Sequence, residues 1–552
     1  MKITLMAMNA SYVHTSLALR TLSEALRAGG FEVTALEYTI KDSRTRILEE
    51  LYACQSDVYG FSCYIWNINE LLPLAEELKR LKPRAKIVLG GPEVSFWTPD
   101  ELSLYPFVDF LVTGEGEDAL PALCRDIENG VADVKYPDKT VEGGAFAGFE
   151  EQGIPYTDRE ITEGRIVYYE SSRGCPFRCA YCLSSVTSYG SGQKRVRAKS
   201  AERTLRDLLR FESPGSSIKV VKFVDRTFNF DRERAKTIWR GLLGDGYTKS
   251  YHFEVCASLL DEESLEILSR APDGKFQLEI GVQSTSSEAL LACDRPDDTE
   301  RVLDMLAKLR GIPGVHVHAD LIAGLPFESY ERFGESFDAV FGLCDQLQVG
   351  FLKLLNGCKL RLEADRHGYV FSPRPPYEVL KNNYIDFPDL CRLKRIAALV
   401  DRLVSSGRFD KSLDFIIKAT VKSHSAFEFF EGLDAYLGRE VSTISGRALY
   451  EEVFALALSR VEDFSVLREI LHRLHYDYLS GETSPVPASM SVRCRAGLAP
   501  EYVTDKGEKK ALLAAAAARG CILDAGATVA VRFCFADGVV LIDRGKRVVV
   551  EV

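Results

Sequence analysis

Residues 165–182 read RIVYYESSRGCPFRCAYC: an apolar strand over 166–171, a short polar turn, then Cys175, Cys179 and Cys182 in the spacing CxxxCxxC. Three thiolates on one tight loop can ligate three irons of a [4Fe–4S] cube and leave the fourth iron open. A closed structural zinc site wants a fourth protein ligand, and no further Cys or His lies within this loop. The other eleven cysteines, at positions 54, 63, 124, 256, 293, 344, 358, 391, 494, 521 and 534, are scattered, mostly within apolar stretches. There a reduced thiol behaves as a small hydrophobe.

Outward from this loop the chain alternates strands and helices. Apolar runs at 166–171, 219–224, 253–257, 276–282, 315–322 and 347–354 each neighbour a helical stretch, which predicts a (β/α)6 partial TIM barrel over 165–365. Functional residues of such barrels gather at the carboxyl ends of the strands, where the cysteine loop sits. Ahead of it, runs at 3–8, 33–36, 58–61, 87–89 and 107–112 alternate with helices near 16–28, 67–81 and 117–127, so 1–135 reads as a doubly wound, Rossmann or flavodoxin-like α/β domain. Residues 136–164 lose this periodicity and read as a surface connection. From 370 to 552 the pattern is mostly helical, with little punctuation over 426–479. It closes on a small antiparallel meander from Thr528, with a tight turn at 536–538.

Composition bounds the function classes. At 46% hydrophobic and 27% charged residues the chain is an ordinary globular one. It shows no membrane-length apolar run and no signal peptide, and a cytoplasmic location follows as an expectation. The formal charge of −11 is unfavourable for binding phosphate backbones, and the region from Phe371 onward holds 25 Lys and Arg against 24 Asp and Glu. No basic appendage is reserved for nucleic acid. The pair His472 and His475, at i,i+3, lacks the i,i+4 geometry of a zinc pair and reads as packing or surface histidines.

The cysteine loop, with Tyr181 before its last cysteine, resembles that of the radical S-adenosylmethionine (SAM) superfamily. So do the segments VKFVDRTFNFD (221–231), HFEVCASLLDEESLEIL (252–268), LEIGVQS (278–284), ADLIAGLPFE (319–328) and LKLLNGCKLR (352–361). The resemblance implies a [4Fe–4S] cluster on the three cysteines and SAM cleaved there to a 5′-deoxyadenosyl radical. Tyr181, Asp225, Glu254, Glu279, Gln283 and Asp320 would contact SAM, as polar residues that end or interrupt apolar strands. Cys358 stands where the family usually has Thr and reads as a buried small residue.

In the front domain the expected ligand surface lies at the strand ends, with Asn9 and His14, Ser62 and Tyr64, Gly90, Gly91 and Glu93, and Gly114 and Glu115. Glycines there permit close approach to a large cofactor. Placed ahead of a barrel of this type, the domain looks like a cobalamin-binding domain. Members that ligate cobalt through histidine use DxHxxG; here Asn9 and His14 stand without the Asp or the Gly, so His14 borders the pocket or packs locally. The tail resembles the accessory region of a subgroup whose substrates are poorly defined. Together these resemblances imply a cobalamin-dependent radical SAM enzyme that methylates an unactivated carbon through methylcobalamin. Its substrate would be a small molecule or peptide, and its electron donor a flavodoxin or ferredoxin. Two alternatives are cobalamin-dependent cyclisation, ring contraction or rearrangement, and a cobalamin-binding sensor or scaffold with an inert barrel.

Overall fold

The computed structural model describes residues 1–164, 166–187, 196–295, 297–487, 489–490, 498–519 and 521–552; Arg165 and Cys494 lie outside the described residues. The chain forms two compact units, one of residues 1–329 with 351–386, the other of 330–350 with 387–552. Among the described residues no helix is long and apolar enough to cross a membrane.

The first unit contains the front domain. Its strands are β1 (Lys2–Asn9), β2 (Glu32–Thr39), β3 (Val58–Ser62), β4 (Lys86–Gly90), β5 (Phe110–Gly114) and β6 (Thr140–Gly143). They pair in parallel in the order β2-β1-β3-β4-β5-β6. Strand β1 is buried along all but its first residue because both faces are covered. Met6, Met8, Phe61 and Leu89 pack with Ile47, Leu71, Leu74 and Leu78 of helices Arg44–Ala53 and Ile68–Leu81. Leu5, Ala7, Val88 and Val112 pack with Leu19, Leu26, Leu120 and Leu123 of helices Leu17–Ala28 and Gly116–Glu128. The order reverses between β1 and β3, so the loops after those two strands diverge and open the crevice where doubly wound sheets take their ligands.

The stretch expected as a bare connection carries more structure. Strand β6 adds to the sheet edge, and helix Asp158–Glu163 starts at a capping box in which Thr157 and Glu160 satisfy each other's backbone N–H. A four-residue edge strand and a six-residue helix are too short for periodicity to reveal.

The barrel strands are β7 (Ile166–Tyr169), β10 (Val220–Phe223), β11 (Ser250–Val255), β12 (Phe276–Gln283), β13 (Val315–Ala323) and β14 (Gln346–Phe351), in sheet order β14-β13-β12-β11-β10-β7. Between β7 and β10 lies a two-stranded hairpin, β8 (Ser172–Gly174) and β9 (Val196–Ala198). The cysteine loop is the excursion of that hairpin. Behind the sheet, Phe223, Phe228, Trp239 and Phe253 form one aromatic cluster. The opposite face is polar, with Lys222, His252, Glu279, His318 and Asp320 gathered along it.

The second unit is helical, as expected, with breaks at Gly438, which closes helix Ala426–Leu437 in the left-handed conformation, and at Val461. Phe333 and Phe337 of helix Tyr330–Val340 pack on Phe427, and Phe337 also meets Phe430. The closing sheet is antiparallel and includes Glu501–Tyr502 ahead of Thr528–Arg532, Val539–Asp543 and Val548–Glu551. The connection over 533–538 is longer than the tight turn expected there. His472 and His475 are buried: His472 Nδ1 accepts from the Cys534 N–H at 2.9 Å, and His475 lies 3.2 Å from the Tyr502 hydroxyl. Burial holds both rings neutral, with pKa values lowered to about 4.

Candidate functional site

The turn that launches the cysteine loop is fixed by one carboxylate. Asp225, fully buried at the end of β10, accepts the N–H groups of Ser171 at 2.8 Å and Ser172 at 3.0 Å and the Ser171 hydroxyl at 2.5 Å. Arg234 crosses the same turn, donating to the Ser171 hydroxyl at 2.7 Å and the Lys199 carbonyl at 2.8 Å. Asp225, one of the residues the resemblance assigns to SAM, thus satisfies the donors of the chain's own turn.

On the loop, Cys179 is buried while Cys175 and Cys182 are partly exposed. The Thr227 hydroxyl lies 3.5 Å from Cys175 Sγ, and Arg295 Nη1 approaches Cys179 Sγ at 3.6 Å while its Nη2 donates to the Gly281 carbonyl at 2.6 Å. The backbone N–H of Ala180 donates to the carbonyl of Cys293. That bond places the buried Cys293 beside this loop, and the Leu360 N–H, which donates to the Ala180 carbonyl, brings the buried Cys358 near it. Of the scattered cysteines, Cys63, Cys124, Cys256 and Cys344 are likewise buried, whereas Cys534 is exposed.

Around the loop stand acceptors without donors. The buried Tyr181 hydroxyl, Gln283 Oε1 and Asp320 Oδ1 make no hydrogen bond among the described residues, although His318 Nε2 stands 3.3 Å from Asp320. Gln283 takes a left-handed φ of 71° at the bulge that ends β12. A non-glycine residue held there is a mark of constraint. Glu254, on β11, has its carboxyl pushed up to about 7 by burial, against the pull of Arg226. Buried polar groups of this kind are costly unless a ligand supplies partners, and ribose hydroxyls with an amine fit that need. Glu279 does not join them. It is committed to His252 at 2.8 Å and lies 3.8 Å from Lys222; burial alone would raise its pKa, but these cationic and hydrogen-bonding neighbours hold it near 2.

The front-domain strand ends meet this barrel within the same unit. Asn9 donates to Glu37 at 2.8 Å and to the His14 carbonyl at 2.9 Å, bracing the loop after β1. His14 Nδ1 lies 2.5 Å from the Tyr168 hydroxyl, which ties the loop after β1 to strand β7. After β3, Tyr64 stacks on Trp66 with centroids 4.3 Å apart, and Asn67 ties that turn to the carbonyls of Met8 and Ser62. Tyr12 and Trp66 remain 87% and 45% exposed. Exposed aromatics at the switch point fit a broad macrocycle with apolar edges.

The glycines serve the chain itself. At Gly91, with φ of 112°, a Cβ would stand 2.6 Å from the Cys63 carbonyl, and at Gly114 it would overlap Gly143. Gly90 has Val112 against it. At Gly91 and Gly114 the missing side chain admits neighbouring backbone, whereas Gly90 has only ordinary contacts around it. Glu115 is engaged within the protein: Arg173, Arg197 and the Phe146 N–H donate to its carboxylate.

Glu93, 3% exposed, accepts from Tyr377 Oη at 2.5 Å, and burial pushes its pKa up to about 7. Since the folded value lies above that of the unfolded chain, its contribution is fully present below about pH 4.5 and is lost as pH rises through 7. We expect Glu93→Gln, which keeps the acceptor, to gain stability over the parent chain between pH 5 and 8, by up to about 3 kcal/mol. Denaturant unfolding at both pH values reads this difference; an equal gain at pH 5 and 8 counts against it.

Sequence reading missed Arg173, Arg226, Thr227 and Arg295. Arg226 directly follows Asp225, and its charge is felt by Glu254, Cys182, Tyr64 and Cys175. No local pattern announces these residues, since each acquires its place only when separate strand ends converge.

Comparison with known proteins matches residues 3–124 to the B12 binding domain and residues 169–340 to the radical SAM superfamily. The chain thus carries one segment like each of these two families. Residues 365–513 match a family described only as a protein of unknown function, DUF4080. Among curated relatives, the hopanoid C-3 methylase of Methylococcus capsulatus is 26% identical over 57% of this chain and 62% of its own length. The cobalamin-dependent radical SAM methyltransferase TokK of Streptomyces tokunonensis is 24% identical over 72% of this chain and 63% of its own. The chain thus spans somewhat under two thirds of those relatives. Among solved structures, the cobalamin-dependent SAM radical enzyme OxsB with aqua-cobalamin and SAM bound shares the fold, with a TM-score of 0.60 at 16% identity over 86% of this chain and 80% of OxsB.

Proposed function

We propose that this chain is a cobalamin-dependent radical SAM C-methyltransferase, in which residues 1–135 hold the corrinoid, 165–365 the cluster and SAM, and 370–552 serve as an accessory region. The observation that carries the reading is that the cysteine loop and the front-domain switch point belong to one unit, joined through His14–Tyr168 and Glu115–Arg173. Cys175, Cys179 and Cys182 would hold the cluster; Glu254, Gln283, Asp320 and Tyr181 would take SAM; the turns bearing Tyr12, Tyr64 and Trp66 would face the corrinoid. When bound, the cluster supplies the electron that cleaves SAM, and cobalamin carries a transferable methyl group.

The chain's own residues position and shield. Asp225 and Arg234 set the turn before Cys175, Arg295 braces Cys179 against β12, and Thr227 stands beside Cys175. The unbonded oxygen of Gln283 is oriented before the ligand arrives, so little reorganisation is needed on binding. A flavodoxin or ferredoxin as electron donor, and a cytoplasmic setting in which thiols stay reduced, go with this reading.

The test is anaerobic incubation of the cobalamin-loaded, reconstituted chain with reductant and SAM bearing a deuterated methyl group. We expect 5′-deoxyadenosine and deuterium in the corrinoid fraction. If 5′-deoxyadenosine forms while the corrinoid stays unlabelled, methyl transfer is wrong and a rearrangement reading replaces it. If neither appears, the barrel is inert.

A further inference from the structure

In the hairpin from which the cysteine loop projects, Arg173 stands directly opposite Arg197. Like charges at opposed positions of a ladder repel, and two strands alone are marginal in water. What stands between them comes from the front domain. Glu115 gives its Oε2 to Arg173 Nη1 at 2.7 Å and its Oε1 to Arg197. Glu117, whose side chain is only 6% exposed, takes Arg173 Nη2 at 2.6 Å, and Glu170 takes Arg173 Nε at 2.9 Å. Phe149 lies under both guanidiniums, at 4.8 and 5.7 Å. Arg197 also donates to the Phe146 carbonyl at 3.0 Å, while the Phe146 N–H donates to Glu115 at 2.9 Å. The segment after β6 is thereby drawn into the same knot. Among the described residues Glu115 is the carboxylate that accepts from both arginines, one oxygen to each.

We propose that Glu115 is a positioning residue for the cysteine loop: by neutralising Arg173 and Arg197 together, the front domain closes the hairpin that presents Cys175, Cys179 and Cys182. Loop assembly then depends on the front domain being docked, and the two domains are coupled through an ion cluster as well as through any shared ligand. The inference rests on the reading of those cysteines as cluster ligands.

The test uses the full chain and the variants Glu115→Gln, Arg197→Gln and the double variant. In the metal-free protein, amide hydrogen exchange over 172–174 and 196–198 is expected to quicken at least about tenfold in Glu115→Gln, and iron retained after anaerobic reconstitution to fall several-fold. The double variant removes the repulsion that Glu115 offsets, so its exchange should return most of the way to that of Arg197→Gln alone. Exchange and iron unchanged in Glu115→Gln overturn the proposal, as does a double variant no better protected than Glu115→Gln. Loss of corrinoid retention in Glu115→Gln with the hairpin unchanged overturns it too, and returns Glu115 to the crevice. Should Glu115→Gln fail to fold, a double variant that folds supports the proposal and one that fails as well overturns it. Cys179→Ala, run alongside, separates the two levels: iron equal to that of the parent defeats the cluster reading, whereas the exchange arms still report on the hairpin.

Discussion

Cys179→Ala is expected to abolish both iron–sulfur binding and SAM cleavage. The parent chain should take up about four irons after anaerobic reconstitution, and the variant should retain none as a stable cube, since two thiolates cannot hold three of its corners. Cys179 is the buried member of the triplet, backed by Arg295 at 3.6 Å and by the Ala180–Cys293 backbone bond, so solvent or an added thiol has poor access to replace it. The absorption of the cluster and the yield of 5′-deoxyadenosine are the readouts, with corrinoid content as the control. Corrinoid binding should survive, because the front domain has its own two-faced core. Equal SAM cleavage in variant and parent would remove the cluster from these cysteines.

The second large effect is expected from Asp225→Ala, through folding. The substitution orphans two backbone N–H groups and a hydroxyl and leaves Arg234, itself 9% exposed, without its buried counter-charge. Breaking a buried pair by removing one partner costs about 3–5 kcal/mol. Denaturant unfolding should show a loss of that order, with iron retention falling in parallel because the turn before Cys175 is released. A stability loss below about 1 kcal/mol would mean that Ser171 and Ser172 find other acceptors.

The fold was legible where periodicity is long. The front strands and helices and the six barrel strands lie close to where alternation places them, and CxxxCxxC is read directly because its ligands are neighbours in the chain. Strand-end polar residues were legible as a set, not as individuals. Gln283 ends with an unbonded oxygen, while Asp225, Glu279 and Asp320 have similar sequence credentials and stand against Ser171, His252 and His318. What separates them is which side chain a neighbouring strand brings within reach, which no local pattern carries. The partners of Glu115 were hidden for the same reason: they lie 58 and 82 residues downstream. The glycines show the converse, since a glycine-rich loop signals close approach without saying what approaches.

The division of the chain into units has a consequence for synthesis. Helix Tyr330–Val340 falls inside the stretch matched to the radical SAM superfamily, yet it belongs to the second unit, and residues 351–386 return to the first. As the nascent chain leaves the ribosome, that helix emerges roughly ninety residues before helix Ala426–Leu437, whose Phe427 and Phe430 cover its own Phe337. For that interval an aromatic face waits uncovered, as chaperone clients do. A gene cut at the apparent domain boundary would make the wait permanent, so the tail cannot be shed as a detachable module.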